Sequence, residues 1–277
     1  MKKYIFIIFI LPIFLSANFI AMNSGARSLG MGNAFVALSD GGSAVFYNPA
    51  GLARSNQFSI SGSLQKLYGI SDLTSSMASI SFPTPIFRTN IAVQQINLLD
   101  TYSEQILYLS AASIIKPKDI PIRFGVSLKH ESAKVENYEN AKIPSSFDID
   151  FGALIDFSDN LFLGYSAKHL LKPQFEFISS SDQLSIIQSI GMCYKWKDAV
   201  NFLADYVWHE DSSSWNIGSE IWFYDILAAR LGMFNEKLTV GFGLDTKKWS
   251  LDTAVLSHEQ LGSTYRVSLA VNIGKQK

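Results

Sequence analysis

The chain has 277 residues, 48% of them hydrophobic, and a formal net charge of −1. That balance excludes a basic surface for nucleic acid. Beyond the first residues no run of about 18 apolar residues occurs, which excludes a helical membrane bundle. The single cysteine, Cys193, rules out a disulfide framework within the chain. It reads as a small apolar strand residue.

Residues 1–17 read as a cleaved secretory signal. Lys2 and Lys3 supply the positive start, Tyr4 to Leu15 the apolar core, and Leu15-Ser16-Ala17 a cleavage site, with Ala21 as a second one. The core is too short to span a bilayer as a helix, which takes about 20 residues. Residues 18–55 show no strand alternation. They hold the Gly- and Ala-rich stretch Gly25 to Ala53, with a turn at Asn48-Pro49-Ala50-Gly51. Pro49 pushes Asn48 out of the helical region. This stretch is expected to form a compact hatch or plug inside the lumen of a barrel spanning residues 56–277.

From Gln57 onward the apolar period becomes two. Fourteen strands are expected at 57–66, 73–82, 88–98, 104–115, 120–134, 146–157, 160–171, 184–196, 199–209, 214–224, 226–234, 237–246, 249–257 and 263–274. Their lengths suit tilted membrane strands of about 9–11 residues. In the sixth, Phe147, Ile149, Phe151, Ala153, Ile155 and Phe157 alternate with Asp148, Asp150, Gly152 and Asp156. In the eighth, Leu184, Ile186, Ile190, Met192, Tyr194 and Trp196 oppose Ser185, Ser189, Gly191 and Lys195. Apolar out and polar in is the pattern of a membrane barrel. Minimal turns at 158–160, 197–198, 225 and 247–248 alternate with longer polar links at 135–145, 172–183, 210–213 and 258–262. That parity fits an up-and-down barrel with tight periplasmic turns and looser outer loops. Trp196, Trp208, Trp215, Trp222, Phe223, Tyr224 and Trp249 lie near strand ends, where an aromatic girdle is expected. The fold class is therefore all-β: a 14-stranded antiparallel transmembrane β-barrel with an N-terminal hatch, placed in the bacterial outer membrane.

The expected lumen face carries both charges: Arg123, Lys129, Asp148, Asp150, Asp156, Lys168, Lys195, Asp205, Glu220, Arg230, Asp245, Asp252 and Arg266. Asp205, Glu220, Arg230, Asp245, Asp252 and Arg266 come from neighbouring strands and are expected to form one patch that holds the plug. Nothing points to catalysis. His130, His169, His209 and His258 are scattered without metal-ligand spacing. There is no Gly-x-Ser-x-Gly or His-Glu-x-x-His. No enzyme activity, metal or cofactor is expected.

Gly25-Ala26-Arg27-Ser28-Leu29-Gly30-Met31-Gly32 with Ala34-Phe35-Val36-Ala37 resembles the start of PorV/PorQ-type outer-membrane proteins. Ala44-Val45-Phe46-Tyr47-Asn48-Pro49-Ala50-Gly51-Leu52 resembles the Asn-Pro-Ala segment of the FadL/TodX transporter superfamily. The resemblance implies a 14-stranded barrel with an internal hatch shaped by Asn48, Pro49 and Ala50. In the fatty-acid branch it implies passage of hydrophobic solutes past a movable hatch. In the PorV branch it implies handling of secreted proteins of a type IX-like system. The brief loops and the absence of a terminal aromatic depart from both branches. Three readings stand: passage of hydrophobic small molecules, a protein-handling accessory, and a structural barrel without transport. The first expects an apolar pocket between hatch and wall lined by Phe35, Val36, Phe46, Tyr47 and Leu52. The partners implied are outer-membrane lipid, with hydrophobic small molecules or secreted proteins as alternatives, around a monomeric barrel.

Overall fold

Alternating side chains make each strand two-faced, and a closed sheet is the arrangement that buries one face while leaving no edge. The computed structural model describes residues 24–135, 143–176, 181–210, 212–246, 248–258 and 261–274. The signal assigned to residues 1–17, and residues 18–23, lie outside these. The strands are β1 Phe58–Lys66, β2 Leu73–Pro83, β3 Arg88–Leu98, β4 Tyr102–Ile115, β5 Ile122–Val135, β6 Ser145–Asp156, β7 Leu161–Lys168, β8 Gln174–Glu176, β9 Ser181–Gln183, β10 Ile187–Trp196, β11 Val200–His209, β12 Ser212–Phe223, β13 Leu227–Phe234, β14 Lys237–Asp245, β15 Trp249–Leu256 and β16 Thr264–Ile273. All but β8 and β9 join one closed antiparallel barrel of 14 strands. β1 closes it against β16, from Phe58 opposite Ile273 to Lys66 opposite Tyr265.

The outward positions are apolar and exposed: Leu109, Val126, Leu128, Ile190, Phe202, Leu231, Phe242 and Leu269 are examples. Inward neighbours such as Ser110, Ser127, Lys129, Asp205 and Glu220 are buried. A soluble sandwich would expose the polar face. Here the apolar band faces out, as lipid requires.

Three expectations need correction. The seventh and eighth strands stop short of the expected 171 and 184. After β7 the chain turns at His169, in the left-handed region (φ 58°), with its N–H donated to Asp150 Oδ1 at 3.1 Å. It then forms the separate β8–β9 hairpin. Leu184, expected on the lipid face, is buried together with Phe175 of this hairpin. The link expected at 210–213 is shorter, because Ser212 and Ser213 pair with His209 and Trp208 in the ladder. Trp222 does not join the girdle: it points inward and donates Nε1–H to Glu220.

At the end of the barrel where Phe58 and Ile273 lie, the longest link is 116–121, between β4 and β5. The longest links, between β5 and β6 and between β7 and β10, lie at the other. Inside sits the segment from Ser24 to Ser55. It holds helix α1 (Ala26–Gly30) and two 3-10 turns, Gly42–Phe46 and Pro49–Arg54. α1 packs on β13 to β16, Gly42–Phe46 on β1 to β3, and Pro49–Arg54 on β3 to β6. This inner segment is therefore ringed by the wall.

Leu109 lies mid-strand on the outer face and is 57% exposed. Leu109→Arg is expected to lose about 2–4 kcal/mol in lipid vesicles, read by denaturant unfolding, whereas the same change in detergent, where the charge can find water, is expected to cost less.

Candidate functional site: the inner segment and its seat

The inner segment is mostly irregular, and its own turns pair only part of its backbone, so other N–H and C=O groups need partners from outside it. The wall provides them at named points. Asp205 Oδ2 accepts from the N–H groups of both Phe35 and Val36, at 2.7 and 2.9 Å. Thr239 Oγ1 accepts from Gly32 N at 3.0 Å. Ser268 Oγ accepts from Ala26 N at 2.7 Å, and Arg266 Nη1 donates to Gly25 O at 3.1 Å. Lys168 Nζ donates to Phe46 O at 2.6 Å.

Asn48 ties the segment to itself and to the wall. Its backbone is extended, as the residue before proline requires. Its Oδ1 accepts from Ala50 N at 3.1 Å, capping the turn that Pro49 begins. Its Nδ2 donates to Val36 O and to Ala153 O of β6, each at 3.0 Å.

Arg27 makes the strongest tie. Nε and Nη2 donate to Glu220 Oε2 and Oε1 at 2.8 and 2.9 Å, and Nη1 forks onto Asp40. Glu220 is fully buried and also accepts from Arg230, Asn201 and Trp222. Arg230 extends the chain to Asp252 at 2.8 Å. A carboxylate with this many charged and neutral donors can stand burial that would otherwise cost several kcal/mol.

The charged residues expected as one patch thus divide. Glu220, Arg230 and Asp252 form one network with Arg27 and Asp40. Asp205 acts alone on the backbone of Phe35 and Val36. Arg266 pairs with Gln65 and Gly25. Asp245 borders a cavity and makes no side-chain hydrogen bond or ion pair among the described residues. Sequence reasoning did not single out Arg27 and Asp40, since they lie outside the strand pattern that defined the lumen face.

Close approach of backbones is the other half of the fit. A Cβ on Gly125 or Gly152 would overlap Pro49 or Asn48. One on Gly218 or Gly232 would overlap Met31 or Gly32. Gly152 pairs with Gly125, and Gly232 with Gly218, so the glycines form matched notches in neighbouring strands. Gly32 itself has φ 65° and lies against the backbone of Met233, a position no larger residue can take.

The apolar candidates Phe35, Val36, Phe46, Tyr47 and Leu52 are all buried. They pack on one another and on the wall. Phe35 meets Tyr47 edge-on at 5.3 Å between ring centres, and Phe46 meets Tyr108 at 5.1 Å. Burial pushes the Tyr47 phenol up to about 12, so it stays protonated and donates to Asn33 Oδ1 at 2.9 Å. Pro49 and Ala50 are likewise buried against β5 and β6.

A second cluster lies in the wall towards the long-link end. Lys129 Nζ stands 2.9, 2.8 and 2.9 Å from Glu131, Asp148 and Asp150. His169 Nδ1 is 2.8 Å from Asp148. Glu131, Asp148 and His169 are close enough to share a metal ion. The Lys129 ammonium already occupies the middle of these donors, so the residues fit an internal ion pair better than a metal. His169 and Asp148 are 21 residues apart, which no local spacing rule detects.

No protein-family profile matches the chain, and no curated protein matches it in sequence. Solved structures do match. A TodX deltaS2S3 mutant monoaromatic hydrocarbon channel aligns at TM-score 0.65 and 11% identity, over 90% of this chain and 98% of that one. The CymD monoaromatic hydrocarbon channel aligns at 0.65 and 10%, over 91% and 98%. A Pseudomonas aeruginosa FadL homologue aligns at 0.62 and 11%, over 91% and 98%. The chain has the fold of the TodX and FadL channels. At such identity the likeness speaks for the fold, and the chemistry of this TodX/FadL-type barrel rests on its own residues.

Arg27→Ala and Asp205→Ala are each expected to loosen the inner segment by about 1–3 kcal/mol, because each leaves buried polar groups unpaired. Limited chymotrypsin cleavage within the segment, at Phe35, Phe46 or Tyr47, is expected to accelerate about tenfold or more, while the heat-dependent gel shift of the intact barrel stays unchanged.

Proposed function

We propose that the protein is an outer-membrane channel for hydrophobic small molecules, held shut by a hatch formed by the inner segment. The short-turn end faces the periplasm and the long-link end the exterior. The observation that carries this reading is a continuous apolar seam. It begins at Phe175 and Leu184 near the long-link end and passes Ala133 and Ile106. It ends at Phe46, Leu52, Met77 and Ala92, between the inner segment and the wall. Polar lumen walls need no such seam, and it gives an apolar solute a path away from water. Sharing a fold with channels described as carrying monoaromatic hydrocarbons supports the same reading.

The seam is filled by side chains, so passage requires the hatch to move. Gly42 and Ser61 of β1 give a direct test. A Cβ built on Gly42 lies 3.6 Å from Ser61 Cβ, within the disulfide range of about 3.5–4.5 Å. In a Gly42→Cys/Ser61→Cys double variant, uptake of a radiolabelled monoaromatic hydrocarbon is expected to fall to the level of cells lacking the barrel under oxidation. Reductant is expected to restore it. Unchanged uptake in the oxidised form would sink the moving hatch. Uptake by the unaltered barrel no faster than in cells without it would sink the channel itself.

A further inference from the structure

The inner segment does not fill the lumen evenly. Between it and the β15, β16 and β1 side of the wall lies a cavity of about 540 Å³, towards the short-turn end. Its volume is in the range of about 300–1,000 Å³ usual for ligand sites, but such sites are mostly apolar. This one is faced by hydroxyls and amides of the wall, Ser59, Ser250 and Asn272 among them, and by six charged side chains.

Four of the six are spent. Arg27 pairs with Asp40 and Glu220, and Arg230 with Glu220 and Asp252. The other two are less fully engaged. Arg54 gives Nη2 to Ala37 O at 2.8 Å. Its guanidinium lies 5.1 Å from the Phe162 ring centre and 3.5 Å from Asp156 Oδ1, while Arg123 holds the other Asp156 oxygen at 2.8 Å. Asp245, at the end of β14, borders the same cavity and has no ion-pair partner among the described residues. Two opposite, under-used charges therefore face one polar cavity from different elements: one on the inner segment, the other on the wall.

We propose that this cavity is a binding site for a small zwitterionic solute, whose anionic group meets Arg54 and whose cationic group meets Asp245. A solute with one charge would meet one residue and leave the free polar atoms of the other to water. An apolar solute would strand both and desolvate the serine hydroxyls, at a cost with no return. The site is separate from the seam, which follows β2 to β5, β10 and β11 and meets the cavity only at Met77. A hydrophilic compartment beside a hydrophobic route means that the barrel discriminates two solute classes on two sides of one hatch.

Saturation-transfer NMR on the purified full-length barrel in detergent tests this with three probes: zwitterionic glycylglycine, anionic N-acetylglycine and cationic glycinamide. Glycylglycine is expected to bind about tenfold more tightly than either singly charged probe, the effect of one charge-assisted contact. Asp245→Asn is expected to abolish the preference over N-acetylglycine, and Arg54→Gln the preference over glycinamide. Arg54→Lys, which keeps the charge, is expected to retain much of it and controls for loss of fold. No transfer to glycylglycine up to its solubility, equal binding of the three probes, or indifference to both charge-removing variants would overturn the assignment. None of these outcomes bears on hydrocarbon uptake, so the two readings can fail separately.

Discussion

Closure of the sheet between β1 and β16 is the constraint on which the rest depends. A membrane strand cannot leave backbone groups bare in hydrocarbon, so the sheet must join its own edge. Joining it over 14 strands creates a second problem. A barrel of about eight strands can be filled by its own side chains, and a wider one leaves a lumen. Here that space is taken by Ser24 to Ser55, a segment with little regular structure of its own. What its own turns leave unpaired must then be satisfied by the wall. The carboxylate of Asp205, the hydroxyls of Thr239 and Ser268 and the guanidinium of Arg266 are placed on inward strand positions to do so.

This explains why the lumen is charged although its contents are not strongly so. Burying Glu220 is tolerable because four side chains donate to it, two of them cationic. The same arrangement makes docking specific. Arg27 reaches Glu220 only when α1 sits against β13 to β16 and the glycine notches accept the chain at Met31 and Gly32. Shape and charge select the same position. The ionic part does so by removing alternatives more than by adding net stability.

The two sides of the inner segment differ in character. On one, aromatic and aliphatic side chains interlock with β2 to β5 and with β10 and β11. On the other, polar side chains surround open space. The inner segment is thus seated by interlocked apolar groups on one side and, beside the cavity, by the Arg27–Glu220 pair and the packing of α1 on β13 to β16. The apolar side resists separation in proportion to the surface it would expose, and the polar side can already hold water.

How much of this was legible beforehand follows from the range of the interactions involved. The alternation in β6 and β16 is a local property, because successive residues on a strand must face opposite ways. Fourteen strands, their approximate bounds and the inward position of Asp205, Glu220, Arg230 and Arg266 could therefore be read directly. The turn at Asn48-Pro49 was legible for the same reason, since proline restricts the residue before it. Contacts across the lumen were not. Arg27 and Glu220 are 193 residues apart, and His169 meets Asp148 only because β7 stops and turns at a left-handed residue. The division of one expected patch into three separate ties and the burial of Phe35, Phe46 and Leu52 depend on where the inner segment rests. So does the opening of a polar cavity beside it. The sequence by itself determined which residues face inward, because that is a matter of strand period. Only the tertiary structure decided what they face, because that depends on how an irregular segment satisfies its backbone inside a closed wall.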